Sequence, residues 1–184
     1  MNILIAGMVI FFSIHLVPSL VGLRRKLILR LGDSRYQGMF AVIAMIGFVL
    51  IIYGKSQAEF QNVWVTPGWG TKAAPVLMVL SLILLASANM KTNIKRFTRH
   101  PMLWGVTLWS IAHLLANGDL ASILLFGSFG LFSLFNMFSA NLRGAKKQQT
   151  KYAFSKDAIV IVASVVVYGI LVFLHPYLFG VKVI

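Results

Sequence analysis

The chain contains no cysteine and only four acidic residues among 184, against 17 lysines and arginines. Without cysteine it can form no disulfide, no thiolate metal site and no covalent haem attachment through a Cys-x-x-Cys-His motif. Any metal or cofactor must therefore be held by other ligands. None of the acids falls in the middle of an apolar run, which weakens paired-carboxylate catalysis and carboxylate proton relays; they are Asp33, Glu59, Asp119 and Asp157.

The composition is that of a membrane protein. Hydrophobic residues make up 59% of the chain, charged residues only 11%, and the mean hydropathy is +0.85, far outside the range of soluble domains. A helix needs about 20 apolar residues to cross a bilayer. The sequence therefore predicts an all-α, polytopic bundle of about six transmembrane helices, at residues 2–23, 38–54, 73–90, 101–117, 119–138 and 157–175. The first run lacks a basic leader segment, so we expect a retained anchor rather than a signal peptide.

The basic residues are confined to alternate loops. Residues 24–35, 91–99 and 143–156 hold all but three of the 17 lysines and arginines, and the three others are Lys55, Lys72 and Lys182. The positive-inside rule then places the three basic loops in the cytoplasm and both termini on the outer, periplasmic side. Orientation and contact with anionic lipid headgroups account for the net charge of +13, so we expect a lipid bilayer and no nucleic acid as partner.

The loops also predict how the chain is divided. A polar, basic loop follows the fifth run, which favours a transmembrane core of five helices at residues 1–145, followed by the cytoplasmic loop and final helix at residues 146–184. The outer loop before the third run contains Phe60, Trp64 and Trp69, residue types that settle at membrane interfaces. Interfacial anchoring is the simpler interpretation of this loop, and a lid over a site at the outer face is the alternative.

The four histidines are the remaining candidates for chemistry. His15 and His113 fall inside predicted spans, where an ionisable group is costly and often functional, although a hydrogen bond to a neighbouring helix would also explain it. His100 precedes Pro101, a favoured first helical residue, which indicates a helix start. His175 precedes Pro176 and predicts the end of the last helix.

The ANGD sequence after His113 predicts a tight hairpin between two spans. Asn117 and Gly118 suit the end of one helix, and Asp119 suits the N-cap of the next. Pairing of Asp119 with His113 is the alternative.

The spacing of the histidines limits which of them can share a ligand. His100 and His113 are thirteen residues apart, which in a helix is about 20 Å of rise and about 220° of rotation. They cannot serve one small site from the same helix face. His15 and His113, on different helices, suit a metal that accepts imidazole. Haem iron leads because two histidines suffice for it, whereas zinc normally takes three or four protein ligands.

Four sequence motifs resemble those of the NnrU family. They are HLVPSL, LGDSRYQGMF, VWVTPGW and RHPMLWGVTLWSIAHLLANGDLASILLFGSF, in this order between residues 3 and 145. The family consists of bacterial integral membrane proteins associated with nitrite and nitric oxide respiration, and it shares a domain with plant 15-cis-zeta-carotene isomerase. The resemblance implies a multi-pass protein of the bacterial inner membrane.

The resemblance also implies haem b as cofactor. In the isomerase branch two histidines hold the iron, and a redox-dependent change at one of them frees it to act on a cis double bond. Matched by motif, these histidines correspond to His15 and His113, with His100 in the RHP motif. Counted from the outer face, however, His15 is about 12 residues deep and His113 about 4, a difference of roughly 12 Å. If tilt and a kink at Pro18 do not close this gap, His15 with His100 becomes the better pair.

Three functions follow as hypotheses. The first is a haem protein of nitrite and nitric oxide metabolism, acting as enzyme, sensor or electron-transfer partner, with a small gaseous ligand and an electron-donor protein. The second is a haem-dependent cis–trans isomerase of a polyene such as 15-cis-zeta-carotene. The third is a membrane S-adenosylmethionine-dependent methyltransferase, because RHPMLWG is similar to a motif of such enzymes. Their C-terminal acids have no counterpart here beyond Asp157.

Overall fold

The protein is almost entirely helical. The computed structural model describes residues 1–181 and 183. Lys182, one of the three basic residues outside the predicted basic loops, lies outside the described residues. Within the described residues there are eight α-helices and no β-strand: α1 Asn2–Leu16, α2 Val21–Leu31, α3 Asp33–Ser56, α4 Gly70–Asn89, α5 Ile94–Phe97, α6 Pro101–Ala116, α7 Leu120–Leu142 and α8 Phe154–Phe179.

Five helical segments of this part of the chain are long and apolar enough to cross a membrane. They are Asn2–Ser19, Asp33–Ser56, Gly70–Asn89, Leu120–Leu142 and Phe154–Phe179. The apolar helix α6 has 16 residues and is shorter than these. The all-helical membrane class is therefore as predicted from composition, while a sixth span and the orientation of the termini stay predictions.

The first predicted run is divided differently from the expectation. Helix α1 ends at Leu16, and a 3₁₀ turn spans Val17–Ser19. Residues 21–31 form a separate helix, which combines the predicted end of the first span at residue 23 with most of the predicted basic loop. Pro18 has no N–H to donate, which favours this break. Gly32 then ends α2 with a φ of 80°, a left-handed conformation that glycine adopts without a steric cost. Helix α3 follows at once, with Asp33 in its first turn and Lys55 in its last, which suits the helix dipole.

The last helix extends further than predicted. Helix α8 continues through His175 and Pro176 to Phe179, so the prediction that His175 marks its end was wrong. A proline costs one backbone hydrogen bond, which membrane helices can absorb. The actual end is Gly180, whose φ of 72° lies in the left-handed region and whose N–H donates to the carbonyl of Pro176.

The described chain divides into two compact units. The first comprises residues 1–62 and 119–121, and the second comprises residues 63–118 and 122–184. In the first unit, α1 packs closely on α3 because glycines allow the two backbones to approach. A Cβ atom added to Gly7 would lie 2.7 Å from the amide nitrogen of Ile51, and one added to Gly47 would lie 2.8 Å from that of Phe11. Small residues commonly mediate such packing in membrane proteins.

The second unit is built on the contact of α4 with α6, and α8 also packs on α4. The buried hydroxyl of Ser81 donates a 2.7 Å hydrogen bond to the carbonyl of Gly105, across the point where α4 and α6 approach. A serine hydroxyl satisfied in this way lets two apolar helices meet without leaving a buried polar group unpaired. The boundary expected at residue 145 stays a prediction.

An ion pair stabilises the first unit at the end of α3. The ammonium nitrogen Nζ of Lys55 lies 2.9 Å from Oδ1 of Asp119, whose side chain is only 8% exposed against 32% for the lysine. We expect Lys55→Met to lower the free energy of unfolding by about 1–2 kcal/mol, because it removes an ammonium group that pairs with a buried carboxylate at a partly solvated site. Denaturant titration in mixed micelles measures this. Lys72→Met, at an exposed position, is the control, and an equal loss there would contradict the prediction.

Candidate functional site

His15 lies in the last turn of α1 among aromatic rings. Its Nδ1 is 2.7 Å from the carbonyl oxygen of Phe11, one turn earlier. The imidazole stacks on the Phe11 ring with centroids 4.0 Å apart, and Phe40 of α3 meets it edge-on at 5.1 Å. The ring is half-buried, so the first unit holds this histidine in an apolar setting with a fixed orientation.

His113 lies in the last turn of α6 in a similar setting. Its Nδ1 is 2.8 Å from the carbonyl oxygen of Trp109, again four residues earlier. The imidazole stacks on Phe126 of α7 with centroids 4.4 Å apart, and the Trp109 ring is 5.0 Å away. The second unit therefore repeats, at a different histidine, the arrangement around His15.

These hydrogen bonds determine which ring nitrogen carries the proton. A backbone carbonyl can only accept, so Nδ1 of both His15 and His113 must be the donor. In a neutral imidazole the lone pair then lies on Nε2. Histidines that bind metals commonly have this arrangement, with one nitrogen on the metal and the other N–H held by a carbonyl. In both side chains Nε2 is therefore the ring nitrogen that carries the lone pair when the imidazole is neutral.

Two buried hydroxyl groups accompany the histidines. The Tyr36 hydroxyl and the Ser110 hydroxyl have no hydrogen-bond partner within the described residues. Tyr36 lies one turn before Phe40, which contacts His15, and Ser110 lies three residues before His113. Unsatisfied buried polar groups are rare in native proteins and call for an explanation. A bound polar group would supply one at each hydroxyl.

His100 has a different environment. It is the N-cap residue of α6, as the RHP sequence predicted, and its Nε2 lies 2.9 Å from Oδ1 of Asn141. Because that amide oxygen can only accept, Nε2 of His100 is the donor, the opposite of His15 and His113. Arg99 also donates to Asn141 Oδ1, at 3.2 Å. Both basic side chains thus connect the start of α6 to the end of α7.

The described residues contain no group of three or more histidine, aspartate or glutamate side chains that could hold a metal ion. Zinc sites made of three or four protein ligands therefore have no candidate in residues 1–181 and 183. An iron held by two imidazoles needs no such group. His15 belongs to the first unit, and His113 and His100 belong to the second.

A comparison with protein families gives a match to the model of the NnrU protein over residues 3–183, nearly the whole chain. The chain belongs to the NnrU family. The match includes the final helix, beyond the motifs that end near residue 145. A search of curated proteins found no match, and a search of solved structures found none.

The ANGD segment of this NnrU protein is the predicted turn, since α6 ends at Ala116 and α7 begins at Leu120. It also anchors the loop between α3 and α4: the backbone N–H groups of Val63 and Trp64 both donate to the carbonyl of Gly118, at 2.9 and 3.2 Å. The Trp64 indole N–H donates to the carbonyl of Asn117 at 3.2 Å. Asp119 accepts from Lys55, a partner that was not foreseen for it.

A polar cluster around Asp157 was missed from the sequence. Its carboxylate accepts hydrogen bonds from the Thr92 hydroxyl at 2.5 Å and from the backbone N–H and side-chain amide of Asn93, both at 2.7 Å. Asn93 also exchanges two hydrogen bonds with the backbone of Tyr152, and the Gln148 amide donates to the Thr92 carbonyl at 3.0 Å. The signal was present, because Asp157 is the sole acid after Asp119. Its partner Thr92 is 65 residues away along the chain, so no local pattern connects the two residues.

Proposed function

We propose that this NnrU-family membrane protein binds haem b through His15 and His113 and takes part in nitrite and nitric oxide respiration. The observation that supports this best is that both imidazoles have the same tautomer and the same kind of hydrogen bond. Each donates its Nδ1–H to a carbonyl of its own helix, which leaves Nε2 as the nitrogen that can bind iron. The association of the family with that respiration supports the physiological part of the proposal.

The surroundings of the two histidines suit a macrocycle. Phe11 and Phe40 contact the His15 ring, and Trp109 and Phe126 contact the His113 ring, so each imidazole lies against flat apolar surfaces like those that a macrocycle requires. The unsatisfied hydroxyls of Tyr36 and Ser110 are suited to a ligand that is not wholly apolar. A haem held there would supply a reversible one-electron couple and an iron able to bind a small gaseous ligand.

The residues of this chain then have separate roles. His15 and His113 would hold the iron, and the carbonyls of Phe11 and Trp109 fix the tautomer and the ring orientation. His100 remains the alternative to His113, although its contact with Asn141 favours a role in starting α6.

Absorption spectra of the purified protein test the proposal. In protein produced with haem supplied, we expect about one protohaem per chain by pyridine haemochrome, with a Soret band that shifts on reduction and again on adding nitric oxide. His15→Ala and His113→Ala should lose most of the haem, because each removes an imidazole that would hold the iron. His100→Ala should retain it, and so should His175→Ala, the matched control for loss of a histidine.

Adding free imidazole to a histidine variant distinguishes the loss of an iron ligand from misfolding. The cavity left by His113→Ala can admit free imidazole, so added imidazole should restore haem binding and the low-spin spectrum if the variant is folded. Absence of protohaem from the unaltered protein would overturn the proposal. Loss of haem in His100→Ala with retention in His113→Ala would replace His113 by His100 as the second ligand.

A further inference from the structure

Helix α2 lies where the chain leaves its first membrane span. It begins two residues after the candidate span Asn2–Ser19 and packs against α3 and the 3₁₀ turn of the same unit. Most of its residues are exposed, including Val21 at 60% and Leu29 at 77%. A helix that directly follows a span is at the boundary between the hydrocarbon core and the headgroups.

A groove runs along one face of this helix. It has a volume of about 250 Å³ and is lined by Pro18, Val21, Arg24, Arg25, Ile28 and Leu29. From Val21 onward these positions are spaced i, i+3, i+4, i+7 and i+8, which places them on one helix face. The groove therefore combines apolar side chains with two neighbouring guanidinium groups.

Within residues 1–181 and 183, no protein group pairs with the positive charge of α2. The helix carries Arg24, Arg25, Lys26 and Arg30 and no acid. Within the described residues these four side chains make no hydrogen bond or ion pair. The next acid, Asp33, accepts from Gln37 instead. Arginine guanidinium groups match phosphate oxygens in pairs of hydrogen bonds, so the groove is complementary to a phosphate group.

We propose that this groove binds one anionic phospholipid of the surrounding bilayer. The phosphate lies between Arg24 and Arg25, and the first part of an acyl chain covers Val21, Ile28 and Leu29. A soluble phosphate would satisfy only the two arginines and leave the apolar side chains uncovered. A lipid pairs with the two arginines and also covers the apolar side chains. Anionic lipid is present at high concentration at the membrane surface.

Native mass spectrometry of the full-length protein tests the site. The protein is titrated in detergent with phosphatidylglycerol or with phosphatidylcholine of the same acyl chains. We expect the first phosphatidylglycerol to bind more tightly, and Arg24→Gln with Arg25→Gln to weaken it on the order of ten-fold. Added inorganic phosphate should not displace the lipid.

The matched control removes the same charge from the same helix. Lys26→Gln with Arg30→Gln changes two cations outside the groove and should leave the affinity within about two-fold, because diffuse attraction is weak in comparison with paired contacts. Equal weakening in both double variants would overturn the proposal in favour of general charge attraction. Equal binding of the two lipids, or displacement by inorganic phosphate, would overturn it as well.

Discussion

Gly54→Ala is expected to lower the free energy of unfolding by about 3 kcal/mol, although it adds a single methyl group. Gly54 faces the backbone of α1, and a Cβ atom there would overlap the amide nitrogen of Leu4. Leu4 is completely buried, so this contact is tightly packed, in the first turn of α1 and the last turn of α3. Backbone atoms cannot rotate away as a side chain can, and the methyl group must force the two helices apart.

Gly38→Ala is the control for this substitution. Gly38 lies on the same helix, and a Cβ atom there would meet nothing within 4 Å. Because alanine is the better helix former, this variant should be unchanged or more stable by up to about 1 kcal/mol. Denaturant titration in mixed micelles compares the two. A loss at Gly54 no larger than at Gly38 would show that α1 and α3 do not meet through this glycine.

The sequence predicted the features that depend on local chemistry. Apolar run lengths predicted the membrane class, Pro101 and His100 predicted the start of α6, and Asn117 with Gly118 predicted its end. Each of these follows from a few adjacent residues. The helix α2 was missed because its four basic residues resemble a loop in a hydropathy pattern, although Pro18 and Gly32 mark its limits.

The candidate site was predicted only in part for a related reason. His15 and His113 stand out because imidazoles are rare in apolar spans, and a bond from Nδ1 to a carbonyl four residues earlier is a local possibility in any helix. The aromatic rings that contact these histidines from neighbouring helices belong to Phe40 and Phe126. Which rings make contact depends on how the helices pack, and hydrophobic periodicity does not predict that packing. The same holds for Asp119, whose partner Lys55 is 64 residues away.

The Asp157 cluster leads to the second large effect. Asp157→Ala is expected to lower the free energy of unfolding by about 3 kcal/mol, because it leaves the Thr92 hydroxyl, the Asn93 backbone N–H and the Asn93 amide without their acceptor. Asp157 is only 9% exposed, so water cannot fully replace the carboxylate. The variant should also detach the start of α8 from the segment after α4, measured as faster hydrogen exchange at residues 90–95 and 148–157.

Two further variants separate charge from shape at this position. Asp157→Asn keeps one oxygen for Thr92 and the backbone of Asn93 but turns an N–H₂ group toward the Asn93 amide, which is also a donor. We therefore expect an intermediate loss of about 1–2 kcal/mol. Asp33→Ala is the control, since Asp33 is exposed and accepts from Gln37 at the surface, and it should change stability by less than about 0.5 kcal/mol. If Asp157→Ala is as mild as Asp33→Ala, the cluster does not hold α8 in place, and the contact of α8 with α4 must do so through apolar packing alone.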